Sequence, residues 1–158
     1  RSFHGRTFGS LSATWEPKYR QPFEPLVPGF RHVPYDNLEA LAASLDDQTA
    51  AVIVEPVQGE GGARPPSPGY LAGVQTLCRQ AGALLIADEV QTGFGRTGRW
   101  FGCQHDDVTP DLMALGKGIA GGVPMGAALL HERFGPLPAG SHGSTLSLIH
   151  ISEPTRPY

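Results

Sequence analysis

Lys117 stands between Gly116 and Gly118, directly after the apolar run Asp111 to Leu115. Glycine on both sides lets the backbone approach a bound group closely. Burial lowers the pKa of an ammonium, so a lysine in such a setting can act as a neutral nucleophile toward a carbonyl. An isolated lysine beside a turn is more commonly a solvated surface charge, and what sets this one apart is its company. Asp88 follows a second apolar run, Ala83 to Ala87, and Gln91 comes three residues later. A cap or turn role would account for Asp88 alone but not for the set. An amine that condenses with a carbonyl, a buried carboxylate that keeps a ring nitrogen protonated, and a neutral partner for a ring hydroxyl are the groups that pyridoxal phosphate needs. The protonated ring then takes up the electron pair when a substrate α-carbon loses its proton.

Other motifs carry less. Gly93 to Gly98 (GFGRTG) matches GxGxxG, but that fingerprint needs a helix opening on the glycines, and Arg99 to Pro110 has no helical period. Gly116-Lys117-Gly118 lacks the Ser or Thr and the upstream Gly of a phosphate-binding P-loop. The histidines at 4, 32, 105, 131 and 142 show no HExxH or HxxxH spacing, Cys103 with His105 makes half of a zinc site at most, and no GxSxG elbow occurs. No metal site is expected.

The elements that must hold these residues can be read from periodicity. Ala50 to Val54 is a short β-branched run before Glu55-Pro56, the pattern of a strand buried on both faces. A helix over about Gly69 to Gln80 puts Leu71, Val74, Leu77 and Cys78 on one face, with Gly82 near its C-cap. Ala83 to Ala87 repeats the buried-strand pattern. Strand, helix, strand is a βαβ unit, so the class is α/β with a parallel sheet. Asn37 to Leu45 reads as a short helix capped by Asp36 or Asn37, and Asp111 to Leu115 and Gly126 to Leu130 as two further strands. Glu55 and Asp88 each fall just past the C-terminal end of a strand, where open parallel sheets bind ligands.

Composition excludes several partners. A net charge of −3 over 158 residues gives no basic field for nucleic acid or an anionic membrane surface. The apolar runs are far shorter than the roughly 20 residues of a membrane-spanning helix. Two distant cysteines suit a reducing, cytoplasmic compartment.

With these residues assembled, the chain resembles the class III, fold type I aminotransferases that use pyridoxal phosphate. It looks most like the acetylornithine branch, which includes enzymes acting on carrier-bound aminoadipate semialdehyde. The segments FHGRTFGSLSATWEPKYRQPF (3–23), EPVQGEGG (55–62), LLIADEVQTGFGRTG (84–98), PDLMALGKGIAGGVPMGA (110–127) and GSHGST (140–145) carry the likeness. It implies a fragment of the large cofactor-binding domain, a mostly parallel sheet flanked by helices, from the middle of a chain more than twice as long. The resemblance also implies that Phe3 stacks on the cofactor ring, Arg6 binds the substrate α-carboxylate, Asp88 pairs with the pyridinium, Gln91 contacts the ring hydroxyl and Lys117 bonds to the cofactor. Thr145 would reach the cofactor phosphate of the partner subunit in a homodimer. Glu55 and Glu60 would flank the substrate pocket, Glu60 pairing with an arginine of the C-terminal region. The implied reaction moves an amino group between glutamate and an N-acylated amino-acid semialdehyde, in arginine or lysine synthesis, with ping-pong kinetics. Small amino and oxo acids are the expected partners, with a small acidic carrier protein for carrier-bound substrates. Ornithine or 4-aminobutyrate aminotransferase activity is the runner-up, and a nicotinamide-dependent oxidoreductase is the rival from another class.

Two departures accompany the likeness. The chain starts at Arg1, after the glycine-threonine loop that forms most of the phosphate cup in this family. Leu146 to Arg156 (LSLIHISEPTR) replaces the family's continuation and reads as translated sequencing-library adaptor, so the domain is expected over 1–145 with a non-native tail over 146–158. An isolated fragment of this kind is expected to bind the cofactor poorly and to be inactive alone.

Overall fold

The structure is a computed structural model and describes residues 1–141. Four short strands form one sheet in sequential order: β1 (Ala51–Val54), β2 (Leu84–Asp88), β3 (Leu112–Leu115) and β4 (Ala127–Leu130). β1, β2 and β3 are parallel, with Val54 opposite Ala87 and Asp88 opposite Ala114. β4 runs antiparallel to β3, with Leu115 opposite Ala127. The sheet is therefore mixed at one edge, and mostly parallel as expected.

The long helix α4 (Tyr70–Ala81) crosses between β1 and β2 and packs on β2 through Leu71, Val74 and Cys78, all buried. Its start lacks a side-chain cap from Gly69, and the Asp106 carboxylate fills that role from elsewhere in the chain, accepting from the Gly69 and Leu71 N–H groups at 3.0 Å each. A negative charge at a helix N-terminus meets both the unpaired N–H groups and the dipole. At the other end Gly82 adopts φ 69°, a left-handed turn that only glycine takes without strain.

The shorter helices are α1 (Phe8–Ala13), α2 (Pro17–Arg20) and α3 (Leu38–Ser44), joined by single 3₁₀ turns elsewhere. Asn37 caps α3, its side chain accepting from the Ala40 N–H at 2.8 Å. The core joins α3, α4 and the sheet through Leu41, Val54, Tyr70, Leu71, Val74, Leu85, Met113 and Leu115.

One expectation fails at β1, which is not buried on both faces: Ala51 is exposed and only Val54 is fully buried. β1 is the last strand of the sheet, and a cleft of about 610 Å³ walled by His32, Tyr35, Val52, Val54 and Gln58 lies along it. The Gly93–Gly98 segment opens no α-helix: turns lead into a five-residue 3₁₀ segment, Gly102–Asp106. Among the described residues no helix is long and apolar enough to cross a membrane, and no group of three potential metal ligands occurs.

Candidate active site

Three parallel strands end side by side, and each delivers a functional side chain at the same edge. Glu55 follows β1, Asp88 ends β2, and Lys117 lies two residues beyond β3. Strand register places Asp88 beside Ala114, three residues before Lys117 along the neighbouring chain direction. A Cβ at Gly116 would lie 3.3 Å from Val90 and one at Gly118 3.4 Å from Phe94, so the lysine loop runs close beside the turn that follows Asp88.

Asp88 is 6% exposed. Its Oδ1 accepts the Val90 N–H at 3.1 Å and its Oδ2 lies 2.8 Å from His4 Nδ1. An ionised carboxylate only accepts, so the hydrogen of this contact resides on Nδ1. Each carboxylate oxygen retains a second lone pair for another donor. The His4 backbone is itself tied down, because its main-chain N–H donates to Thr14 Oγ1 at 2.9 Å. Sequence reasoning missed His4. Its partner lies 84 residues away and the histidine stands alone in an irregular arm, so only geometry could join the two.

The same arm carries Phe3 and Arg6. The Phe3 N–H donates to Glu55 Oε1 at 2.9 Å, and the Gly59 N–H donates to Glu55 Oε2 at 3.1 Å. Both Glu55 oxygens are thus engaged with main chain, clamping the arm to the loop after β1. Burial pushes the Glu55 carboxyl above its ordinary value; the two N–H donors and His4 oppose the rise and nearby Asp88 adds to it. A Cβ at Gly59 would meet the end of the Gln91 side chain, so the Gln91 amide lies against this residue. That contact leaves the half-buried Gln91 held against the loop after β1.

Arg6 and Glu60 are exposed. The Arg6 guanidinium carbon lies 3.9 Å from the centre of the Tyr19 ring and 5.5 Å from that of Phe3. Lys117 is exposed too, contrary to the desolvated setting expected of it, because nothing among the described residues covers the loop on its outer side. Its backbone has φ 47°, in the left-handed region. Thr145 lies outside the described residues.

A second buried acid, Glu89, was also missed. It accepts from the Gly102 and Cys103 N–H groups at 2.9 and 2.8 Å and from the Thr92 hydroxyl, pinning the 92–103 loop beneath the site. The only signal for it is its place beside Asp88 at the end of an apolar run.

The family model for Aminotransferase class-III matches residues 1–148. The chain belongs to the class III aminotransferases. This class III chain is 56% identical over 144 residues to an acetylornithine aminotransferase of Methanopyrus kandleri, a match covering 90% of this chain and 37% of that protein. It is 54% identical over 149 residues to the acetylornithine aminotransferase of Listeria innocua, covering 92% and 38%. Among solved structures it superposes on the ornithine aminotransferase of Toxoplasma gondii with a TM-score of 0.85 at 42% identity, covering 92% of this chain and 35% of that one. The chain therefore spans a little over a third of the length of the curated relatives it matches.

The donor set of this class III site fits pyridoxal phosphate. Asp88 is a buried carboxyl group with lone pairs to spare, an amide follows in the next turn, and a lysine emerges from the adjacent strand end.

Proposed function

We propose that the full-length protein carrying this chain is a pyridoxal-phosphate-dependent aminotransferase that exchanges an amino group between glutamate and an N-acylated amino-acid semialdehyde of the acetylornithine type. Its relationship to two acetylornithine aminotransferases supports the substrate class. The observation that carries the chemistry is the convergence of His4-paired Asp88 and Lys117 at one edge of adjacent parallel strands.

Pyridoxal phosphate supplies, when bound, a carbonyl that condenses with amines and a ring that accepts the electron pair left by a departing α-proton. Asp88 would favour a protonated ring nitrogen by opposite charge, and His4 and the Val90 N–H hold that carboxylate in place. With the cofactor bound, the Gln91 amide would serve as partner for the ring hydroxyl and Phe3 would offer an aromatic face to the heterocycle. Arg6 offers its fork of N–H donors to the substrate carboxylate. Lys117 Nζ would be the group that bonds to the cofactor carbonyl and that serves as the base for the α-proton. Glu60 borders the substrate pocket, and Glu55 shapes that border from behind through its clamp on Phe3 and Gly59. The site is completed by chain beyond this segment and, across a homodimer, by Thr145 of a second copy. Carrier-bound semialdehydes belong to the same chemical class as the acetylated substrate.

Ornithine is the second reading for the amino compound, because the Toxoplasma ornithine aminotransferase superposes so closely. Borohydride reduction of the full-length holoprotein followed by peptide mapping should place the cofactor on Lys117, and Lys117→Ala should abolish transamination without loss of fold. Label on another residue, or an active Lys117→Ala protein, overturns the assignment. Comparing kcat/KM for N-acetylornithine, ornithine and 4-aminobutyrate decides the substrate.

A further inference from the structure

Arg6 is held in an unusual way for a cation next to a buried site. Among the described residues it has no carboxylate within 4.0 Å and no hydrogen bond from its guanidinium, while ion pairs join His4 to Asp88, Arg31 to Asp46, Arg99 to Asp107 and Arg133 to Asp111. Its head lies instead over Tyr19 at 3.9 Å, in the corner that Tyr19 makes with Phe3, whose rings meet edge to face at 6.0 Å and 87°. A guanidinium carries its donors in its plane and its attraction for aromatic rings on its faces. With its head over a ring and no carboxylate beside it, Arg6 keeps its N–H fork free, whereas a carboxylate partner would occupy the fork.

The local fold aims Tyr19 at this position. Pro17 starts the single turn of α2, and the Tyr19 N–H donates to the Glu16 carbonyl at 3.1 Å. Just before that turn the chain is stitched to the Phe3–Arg6 arm. The Trp15 N–H donates to the Ser2 carbonyl at 3.0 Å, and Thr14 Oγ1 accepts from the His4 main-chain N–H and shares its hydrogen between the Ser10 and Gly5 carbonyls. Lys18 reaches the same ring at a longer 5.1 Å.

We propose that Tyr19 is a positioning residue for the substrate: its ring holds the Arg6 guanidinium in place and so governs affinity for the substrate carboxylate. This rests on the reading of Arg6 as the carboxylate anchor. The test uses the full-length holoprotein and glutarate, a dicarboxylate without an amino group, titrated by calorimetry alongside glutamate kinetics. Tyr19→Leu, which keeps bulk and removes the π face, should weaken glutarate about threefold to fivefold, the range of a partly exposed cation–π contact. The glutamate KM should rise by a similar factor with a smaller change in kcat, and Tyr19→Phe should restore glutarate affinity. Arg6→Gln should weaken glutarate by about tenfold or more, as loss of a charged hydrogen-bonding partner does. Unchanged glutarate affinity in Arg6→Gln overturns the anchor reading itself. A loss in Arg6→Gln with parental affinity in Tyr19→Leu overturns the role of Tyr19 alone. Should Tyr19→Leu fold poorly, a trifluorinated phenylalanine at position 19 keeps the shape while draining the ring face, and affinity equal to that of Tyr19→Phe overturns the proposal.

Discussion

Asp88 is held from two sides before any ligand arrives, by a main-chain N–H and by a histidine from the far end of the chain. An amide at this position cannot oppose a positive ring nitrogen. Asp88→Asn in the full-length protein should therefore retain cofactor, with turnover lowered about tenfold to a thousandfold, matching the roughly 1–3 pKa units that an opposite charge supplies. Steady-state kinetics with N-acetylornithine and the absorbance of the bound cofactor measure the two parts separately. Asp88 and Lys117 were legible because a polar residue at the end of an apolar run is conspicuous, whereas His4 had no such frame. Glu55 shows a different limit, since sequence placed it at the pocket wall but could not show that both its oxygens bind main chain. Its raised pKa makes the folded state favour the protonated form, so its contribution to stability falls as pH rises from 4.5, its ordinary value, through the raised folded value. Glu55→Gln should flatten that part of a urea-midpoint profile. The thiols give a further check. Burial pushes Cys103 up to about 12, with Glu89 adding to the rise, and Cys78 up to about 11, with Asp111 adding. Mass spectrometry after iodoacetamide at pH 8 should find both unmodified in the folded protein and alkylated in urea.

At the level of elements, the apolar runs and the 3,4 spacing marked all four strands, α3 and α4 to within about a residue. α1 and α2 escaped notice: a turn of four residues such as Pro17–Arg20 is shorter than the pattern used to find helices. The reversed direction of β4 was missed although a signal existed. Only residues 116–126 separate it from β3, and a parallel return needs a crossover of about a dozen residues or more, usually helical. The caps make these elements testable. Asn37→Ala should cost about 1 kcal/mol through loss of the bond to the Ala40 N–H. Gly82→Ala, forced into a left-handed turn, should cost about the same. Leu85→Ala, in the middle of β2 and 2% exposed, should cost about 2–5 kcal/mol. Urea unfolding of the full-length protein reads all three on one scale.

For the molecule as a whole, the sheet ends at β1 on one side and at β4 on the other, and Leu129 and Leu130 of β4 are 47% and 37% exposed. Apolar side chains and unpaired strand edges of this kind call for further chain to cover them. The isolated 158-residue polypeptide should accordingly melt over a broad range in calorimetry and bind a hydrophobic dye, while the full-length protein melts cooperatively. Subunit sharing of the site can be read by mixing: if Thr145 serves the neighbour, combining inactive Lys117→Ala and Thr145→Ala proteins should regain about a quarter of parental activity, from the one intact site in each two-fold hybrid. The left-handed backbone at Lys117 bears on the same global scale. A side chain in that conformation raises the energy of the native state by about 1–3 kcal/mol. Removing the amine by Lys117→Gly should therefore leave a catalytically dead protein that melts above the equally dead Lys117→Ala one. Reactivity at this position and thermal robustness of the enzyme would then be antagonists, joined through a single torsion angle.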